Sequence, residues 1–189
     1  MCGASGSIYG IRLLKALLEK PVDIRLIISA AGEAVLRHET AYAGSVTDLL
    51  QSQGVALHPD SLLEQYEPDN LFASPASGSF RHNGMVIAPC SMKTVGSIAA
   101  GIAGNLIHRA ADVCLKERRP LILVPRETPL SLIHLKNMQQ AAEAGARILP
   151  AAPSFYSRPQ TIEDLVDTVV ARVLDHLQIQ HQIVPPWGE

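Results

Sequence analysis

Hydrophobic and polar positions follow two kinds of pattern along the chain. In residues 8–18, apolar side chains recur every three or four positions, so that Ile8, Ile11 and Leu14 fall on one stripe of a helix. In residues 23–29, a short continuous apolar run ends in a small polar residue, which is typical of a strand buried on both faces. The two patterns take turns, which predicts helices and strands that follow one another.

This alternation predicts four buried strands and a set of helices between them. The predicted strands are residues 23–29, 84–90, 120–126 and 146–151. The predicted helices are residues 8–18, 30–40, 94–117 (one long helix or a bent pair), 130–145 and 161–177. Gly145 is expected as a C-cap, and Thr161 as an N-cap with Asp164 in the first turn. Residues 41–83 are less regular and predict a loop with one short helix.

Strands that alternate with helices predict a three-layer α/β fold, in which a parallel sheet is covered by helices on both faces. The chain shows neither a repeat nor a linker, so we expect residues 1–189 to form a single domain. The small-residue loop 3–6 should follow a buried strand, yet only Met1 and Cys2 precede it. We therefore expect the first strand to be truncated.

Composition and charge narrow the classes of function. The chain has 189 residues and is 47% hydrophobic, which suffices for a sizeable core. A net charge of -2 gives no electrostatic reason to expect nucleic acid or an anionic membrane as a partner, and 4% aromatic residues leave little material for stacking bases. No secretory signal or apolar run of about 20 residues is present. We expect a soluble protein.

Cysteine and histidine usage points to a reducing compartment and away from a metal site. Cys2, Cys90 and Cys114 are odd in number and far apart in the sequence, and they do not have the spacing of zinc ligands. The seven histidines form no ligand pair of the usual spacing. We therefore expect a cytoplasmic protein with buried thiols and no metal.

Candidate ligand-binding residues cluster at the predicted carboxyl ends of the strands, where α/β sheets bind their ligands. These residues are the loop 3–6, Ser29, residues 91–94, Arg126 with Glu127, and the loop 153–156. They are small, hydroxyl-bearing or charged, and several stand at helix amino termini, where backbone N–H groups and the helix dipole favour anions. The pattern predicts a site for a phosphate-bearing ligand.

Some of these positions also have a plain structural explanation. Capping of an exposed helix would explain Thr94 by itself. It would not explain why residues 91–94 place two hydroxyls and a lysine in one turn. Tyr156 could fill the core. Lys116 is compatible with a solvated helix end, and Glu39 is by default an exposed carboxylate. Arg126 and its neighbouring glutamate are harder to explain this way, because a charge pair directly after a buried strand needs a partner.

The motifs taken together resemble the flavin prenyltransferases, the UbiX family. The stretches that carry the resemblance run in order from Gly3 to Trp187 and are GASGSIYG, HET, ASGSF, APCSMKTVGSIAAG, NLIHRAADVCLKERRPLILVPRETPLSLIHLKNM, PAAPSFY and WGE. The resemblance implies a flavodoxin-like Rossmann fold, a dodecamer, and a metal-independent reaction that joins the dimethylallyl group of dimethylallyl phosphate to reduced FMN. The product, prenylated FMN, would serve a UbiD-type decarboxylase.

The resemblance also implies roles for individual residues. The implied FMN-binding residues are Gly3, Ala4, Ser5, Ser29, Ser91, Met92, Lys93, Thr94 and Arg126. The implied residues for the prenyl phosphate are Arg109, Lys116, Tyr156 and Arg172. The implied catalytic residues are Ser5, Glu39, Lys116 and Glu127. Glu39 matches the acid/base glutamate, Trp187 could assist an allylic cation, and Arg172, which the hydrophobic pattern does not single out, would act across a subunit interface.

Two alternatives stay open at this point, and one departure from the family is visible. Members of the family have several apolar residues before GASG, where this chain has two residues. An FMN-dependent cysteine decarboxylase of the phosphopantothenoylcysteine type shares a similar stretch at residues 88–106, but its PxMNxxMW-type segment is not found. A non-catalytic flavin carrier would need neither Glu39 nor Lys116. The sequence does not distinguish ubiquinone synthesis from detoxification of aromatic acids.

Overall fold

The computed structural model describes residues 1–185 and consists of parallel strands and helices in alternation. The strands are β1 (Asp23–Ile27), β2 (Leu62–Tyr66), β3 (Met85–Cys90), β4 (Leu121–Pro125) and β5 (Arg147–Ile148). The helices are α1 (Ser7–Leu18), α2 (Ala30–Glu39), α3 (Val46–Ser52), α4 (Met92–Ala99), α5 (Leu106–Lys116), α6 (Leu132–Glu143) and α7 (Ile162–His176).

The strands form two parallel sheets, β1–β2 and β3–β4–β5, which the amino terminus joins into one layer. The Met1 N–H group donates to the carbonyl of Ile27 (2.7 Å), and the Met1 carbonyl accepts from Ser29 N (3.1 Å). On the other side, Cys2 N donates to the carbonyl of Pro89 (3.3 Å). Met1 and Cys2 therefore take the place of a short strand between β1 and β3.

Helices cover both faces of this layer. Leu13 of α1 and Val170 of α7 pack on one face with Val124 of β4, while Val95 of α4 and Ile107 of α5 pack on the other face. The strands β3 and β4 end in continuously buried residues, as expected for a parallel sheet covered on both sides. The predicted three-layer α/β fold is confirmed.

A charged pair joins the first and the last helix. Arg12 Nε on α1 donates to Asp167 Oδ1 on α7 at 2.8 Å, and a second guanidinium nitrogen contacts the other carboxylate oxygen. The Asp167 side chain keeps only 12% of its surface exposed. This pair fixes α7 against the helix that begins at the small-residue loop.

Of the two alternatives for residues 94–117, the structure has the pair of helices, because Gly101 takes a positive φ of 68° after α4 and Asn105 caps α5, accepting from His108 N at 2.9 Å. Two of the strands differ from the predictions. The strand β2 was not predicted, since LLEQY is largely exposed. The last strand is only two residues long. The Thr161 cap is confirmed, because Thr161 and Asp164 form a capping box.

Candidate functional site

Two serine caps flank the amino-terminal segment at the carboxyl edge of the sheet. Ser29 caps α2 by accepting from Gly32 N (3.1 Å), and Ser91 caps α4 by accepting from Thr94 N (3.3 Å). Ser29 N donates to the Met1 carbonyl, while Ser91 N donates to the sulfur of Cys2 at 3.0 Å. Because only one backbone separates them, the two helix amino termini lie about two strand spacings, or roughly 10 Å, apart.

Glu39 is the exposed last residue of α2, as expected, and its carboxylate also reaches the start of α1. Its carboxylate accepts from Gly6 N (3.0 Å) and Ser7 N (2.7 Å). Burial alone would raise the pKa of Glu39, but hydrogen bonds from the Ser5 hydroxyl and from the N–H groups of Ser7 and Gly6 outweigh it and lower the pKa. Gly6 has a φ of 102°, which only glycine adopts readily. Because its pKa is lowered, the Glu39 carboxylate is ionised, and the N–H groups at the start of α1 hold it in place.

Arg126 connects the end of β4 to the loop 3–6. Its Nε donates to the Ser5 carbonyl at 2.9 Å, and its backbone N donates to the Cys90 carbonyl at 3.2 Å. The guanidinium thus lies beside the loop and provides positive charge at the same edge. Its neighbour Glu127 is exposed and accepts from Thr128 N at 3.0 Å.

We call the residues brought together at this edge the edge cluster: Ser5, Ser29, Glu39, Ser91, Thr94 and Arg126. The other predicted FMN residues surround it. Gly3 is exposed and approaches α2 so closely that an added Cβ would lie 2.6 Å from Ala31 Cβ. Ala4 and Met92 are buried, and Lys93 is exposed.

Cys2 belongs to this region, although the hydrophobic pattern does not single it out. The three cysteines are free and buried, as predicted, but Cys2 and Cys90 are neighbours rather than isolated thiols. A hydrogen bond with Cys90 is the main influence, and together with those from Thr94 and Ser91 N it outweighs burial and lowers the pKa of Cys2 to about 5. The signal that could have revealed this is the parallel register, which pairs the start of the chain with the end of β3.

Tyr156 and Arg172 line a second concavity. It has a volume of about 1840 Å³ and lies between the segment after β5 and one side of α7. Arg172 Nη1 donates to Asp175 Oδ2 at 2.6 Å, and His181 Nε2 donates to the other oxygen of that carboxylate at 3.0 Å. Arg172 is 62% exposed. The structure thus brings this pair of predicted substrate residues to one surface.

Arg109 and Lys116 have their contacts elsewhere along α5. Arg109 donates to the Ala76 carbonyl (3.1 Å) and to Asp112 Oδ2 (2.7 Å). Lys116 pairs with Glu117 beside Gly78. None of these partners belongs to the edge cluster. Trp187, the remaining predicted participant, lies outside the described residues.

Residues 1–185 lack two features that would point to other functions. They contain no group of three histidine, cysteine or acidic side chains arranged to hold a metal ion. Within the same residues, no helix is both long enough and apolar enough to cross a bilayer.

Known proteins resemble this chain in sequence and in fold. The sequence profile of the Flavoprotein family matches residues 1–174. The flavin prenyltransferase UbiX of Pseudomonas aeruginosa is 47% identical over 192 residues, which cover 100% of this chain and 92% of that protein. The crystal structure of AnUbiX (PadA1) in complex with FMN and dimethylallyl pyrophosphate has a TM-score of 0.90 at 42% identity, covering 100% of this chain and 95% of that one.

A second solved structure has the same fold over its full length. It is described as a dodecameric FMN-dependent UbiX-like decarboxylase from Escherichia coli O157:H7, with a TM-score of 0.88 and 40% identity over 100% of both chains. A match of this extent and identity establishes the family. The chain belongs to the Flavoprotein family and, within it, to the flavin prenyltransferases.

Proposed function

We propose that this protein joins the dimethylallyl group of dimethylallyl phosphate to reduced FMN. The observation that carries the proposal is the edge cluster, which combines an ionised carboxylate, capping hydroxyls, helix amino termini and a guanidinium at one edge of the sheet. Such a set can bind an anionic ligand and exchange a proton beside it. Membership of the flavin prenyltransferases fits this chemistry.

The residues present fit the phosphate of FMN. Three helix amino termini meet at this edge, and that of α1 already binds the Glu39 carboxylate. The amino termini of α2 and α4 are therefore the ones assigned to the phosphate, with the hydroxyls of Ser29, Ser91 and Thr94 as additional partners. When bound, reduced FMN would supply an electron-rich ring as acceptor of the prenyl group.

Glu39 is the proposed proton acceptor and donor. It is ionised in this arrangement, so it is ready to accept a proton, and hydrogen bonds from Gly6 N and Ser7 N fix its position. The Ser5 hydroxyl lies close enough to share that proton. Arg126 holds the Ser5 backbone and adds positive charge. Glu127, exposed one residue further on, is a second proton-transfer candidate.

Tyr156 and Arg172 are the proposed ligands of the prenyl phosphate. They line one concavity, and Asp175 orients the guanidinium of Arg172. Positive charge there would stabilise the phosphate as it leaves, without a metal. Arg109 and Lys116 are proposed to serve the same role for a site shared with another copy of the chain, because their own contacts lie along α5.

A site that is shared between copies of the chain requires a homo-oligomer. The UbiX-like protein of Escherichia coli O157:H7, 40% identical to this chain, is dodecameric, and we propose the same assembly here. Large apolar side chains lie on the surface of one copy, as an interface requires: Phe72, Leu132, Ile133, Phe155 and Ile162.

We also propose a cytoplasmic location, in line with three unpaired cysteines, and a UbiD-type decarboxylase as the recipient of the product.

The direct test is anaerobic incubation of the protein with reduced FMN and dimethylallyl phosphate, followed by mass spectrometry of the released flavin. We expect the flavin to gain one C5H8 unit. A flavin that binds but keeps its mass would contradict the proposal and favour a flavin carrier. Release of carbon dioxide from phosphopantothenoylcysteine, measured in parallel, would instead favour the cysteine decarboxylase alternative.

A further inference from the structure

The segment 76–80 leads from a short helical turn toward β3 and belongs to neither of the two sheets. Two of its carbonyl groups accept hydrogen bonds from a single side chain. Arg119 Nη2 donates to the Gly78 carbonyl and Arg119 Nη1 donates to the Phe80 carbonyl, both at 2.6 Å. Because the carbonyl groups of an irregular segment have no partners in a helix or a sheet, they depend on such donors. The half-buried guanidinium of Arg119 therefore holds this segment by its backbone.

The turn that ends α5 directs Arg119 toward the segment. Arg118 has a φ of 55°, in the left-handed region that residues other than glycine seldom adopt. Arg118 N donates to the Leu115 carbonyl at 3.1 Å, and Arg119 N donates to the Cys114 carbonyl at 2.8 Å. These two bonds form a Schellman motif, in which the chain reverses at the left-handed residue. The backbone of Arg119 is therefore fixed at the end of α5, and its side chain starts from a defined position.

The same segment lies directly against Lys116. A Cβ added to Gly78 would lie 2.7 Å from Lys116 Nζ and 2.5 Å from Glu117 Oε1, so only a glycine leaves both side chains where they are. The Lys116 ammonium also pairs with the Glu117 carboxylate. The position of the ammonium is thus set by this carboxylate and by the backbone of Gly78. A shift of the segment would shift the ammonium as well.

Arg109 is a second cation of α5 that contacts this segment. It lies two helical turns before Lys116, so both side chains project from the same side of the helix. Arg109 Nε donates to the Ala76 carbonyl at 3.1 Å, while its Nη1 donates to Asp112 Oδ2 at 2.7 Å. Two of the proposed ligands of the prenyl phosphate therefore lie against the backbone that Arg119 holds.

We infer that Arg119 is a positioning residue for the prenyl-phosphate site. By holding two carbonyl groups of the segment 76–80, it fixes that segment against α5. The segment in turn keeps the Lys116 ammonium and the Arg109 guanidinium where they can meet the phosphate. Arg119 itself need not touch the substrate. The inference rests on the proposed function, because it extends the role given there to Lys116 and Arg109.

Arg119→Lys is the first test, because lysine keeps the positive charge but lacks the rigid fork that reaches two carbonyl groups. Calorimetry measures the binding of dimethylallyl phosphate to protein loaded with oxidised FMN, which lacks the electron-rich ring, so that no product forms. A misplacement of about 1 Å can cost about a hundredfold, and we expect the Kd for dimethylallyl phosphate to rise by about 10- to 100-fold. The Kd for FMN should stay unchanged. Hydrogen exchange of the amides in the segment 76–80 should become faster.

Two matched variants control for charge and for stability. Arg118→Gly removes the neighbouring positive charge, which is exposed, and places glycine at a φ of 55° that it adopts readily. Thr161→Ala lowers stability by removing the cap of α7, away from α5. Both variants should bind dimethylallyl phosphate as the parent does. A loss of affinity in either would assign the effect of Arg119→Lys to net charge or to stability.

Gly78→Ala tests the second link, from the segment to Lys116. The new methyl group would meet the ends of two flexible side chains, so the fold can be retained while the Lys116 ammonium moves. The Kd for dimethylallyl phosphate should rise as it does in Arg119→Lys, again without a change for FMN. Guanidinium chloride at millimolar concentration should restore affinity in Arg119→Ala, where it can occupy the vacated space, but not in Gly78→Ala.

The outcomes separate this inference from the proposed function. A parent-like Kd for dimethylallyl phosphate in Arg119→Lys or in Gly78→Ala, with a parent that makes prenylated flavin, would overturn the inference alone. An equal loss of FMN affinity in Arg119→Lys would also overturn it, because Arg119 would then support the fold in general. A parent that neither binds dimethylallyl phosphate nor makes prenylated flavin would overturn the proposed function, and the inference with it.

Discussion

Replacement of Glu39 by glutamine tests the edge cluster most directly. Glu39 accepts hydrogen bonds from Gly6 N and Ser7 N, and its lowered pKa keeps it ionised at neutral pH. Glu39→Gln keeps the size of the side chain and one accepting oxygen, but it removes the charge and the capacity to exchange a proton. The variant therefore separates proton transfer from binding.

The structure predicts a small loss of stability and a large loss of activity. A carboxylate at an exposed helix amino terminus contributes about 0.3–1 kcal/mol, which for a chain of this size lowers the Tm by about 1–4 °C. Loss of a general acid/base reduces turnover by about 100- to 10,000-fold, equivalent to about 2.7–5.5 kcal/mol in the barrier. The change in stability is too small to account for such a loss.

The assay measures prenylated flavin, bound FMN and Tm on one preparation. Glu33→Gln is the matched control, since Glu33 lies on the same helix and pairs with Arg37 (2.7 Å) at an exposed position. We expect the Glu39 variant to retain FMN and lose turnover, and the Glu33 variant to resemble the parent. Parent-like turnover in Glu39→Gln would refute the acid/base role. Loss of FMN would instead make Glu39 a structural partner of the loop.

Three further outcomes follow from contacts described above. Asp167→Asn weakens the largely buried pair with Arg12 and should lower the free energy of unfolding by about 2 kcal/mol, less than the loss of a fully buried pair would. Denaturant unfolding measures this change, and an unchanged midpoint would contradict the prediction. Thr161→Ala removes the hydroxyl that caps Asp164 N and should lower the free energy of unfolding by about 1 kcal/mol in the same assay. Because the pKa of Glu39 in the folded protein is lowered, the stabilisation from its hydrogen bonds to α1 is fully present above the ordinary pKa of about 4.5 and is lost as the pH falls through the lowered value. A ¹³C titration of the carboxylate would refute this if its midpoint lay above the ordinary value.

The pattern of hydrophobic and polar residues was sufficient to predict most of the fold, because buried parallel strands and amphipathic helices repeat with different periods. The strand β4 is a continuous apolar run buried at every residue. The strand β2 could not be found this way, since Glu64 and Gln65 lie at an exposed edge and interrupt any apolar run. Its pairing with β1 is a tertiary contact that local pattern does not encode.

Part of the candidate site was predictable from position alone. Ser29, Ser91 and Arg126 follow directly after strands, and the carboxyl ends of parallel strands share one edge. The contact of Glu39 with α1 was not predictable from pattern, because 32 residues separate it from Ser7. Arg172 was singled out only by resemblance, since an exposed arginine on an amphipathic helix carries no signal of its own.

The pair between the first and last helices also sets the order of events during synthesis. Arg12 and Asp167 are 155 residues apart, so at about 5–20 residues per second the ribosome needs about 8–31 seconds between the two. Until α7 emerges, the apolar side of α1 that it covers stays exposed. The start of α1 carries the loop beside the edge cluster, so the nascent chain cannot hold that loop against its final neighbours until α7 has been synthesised.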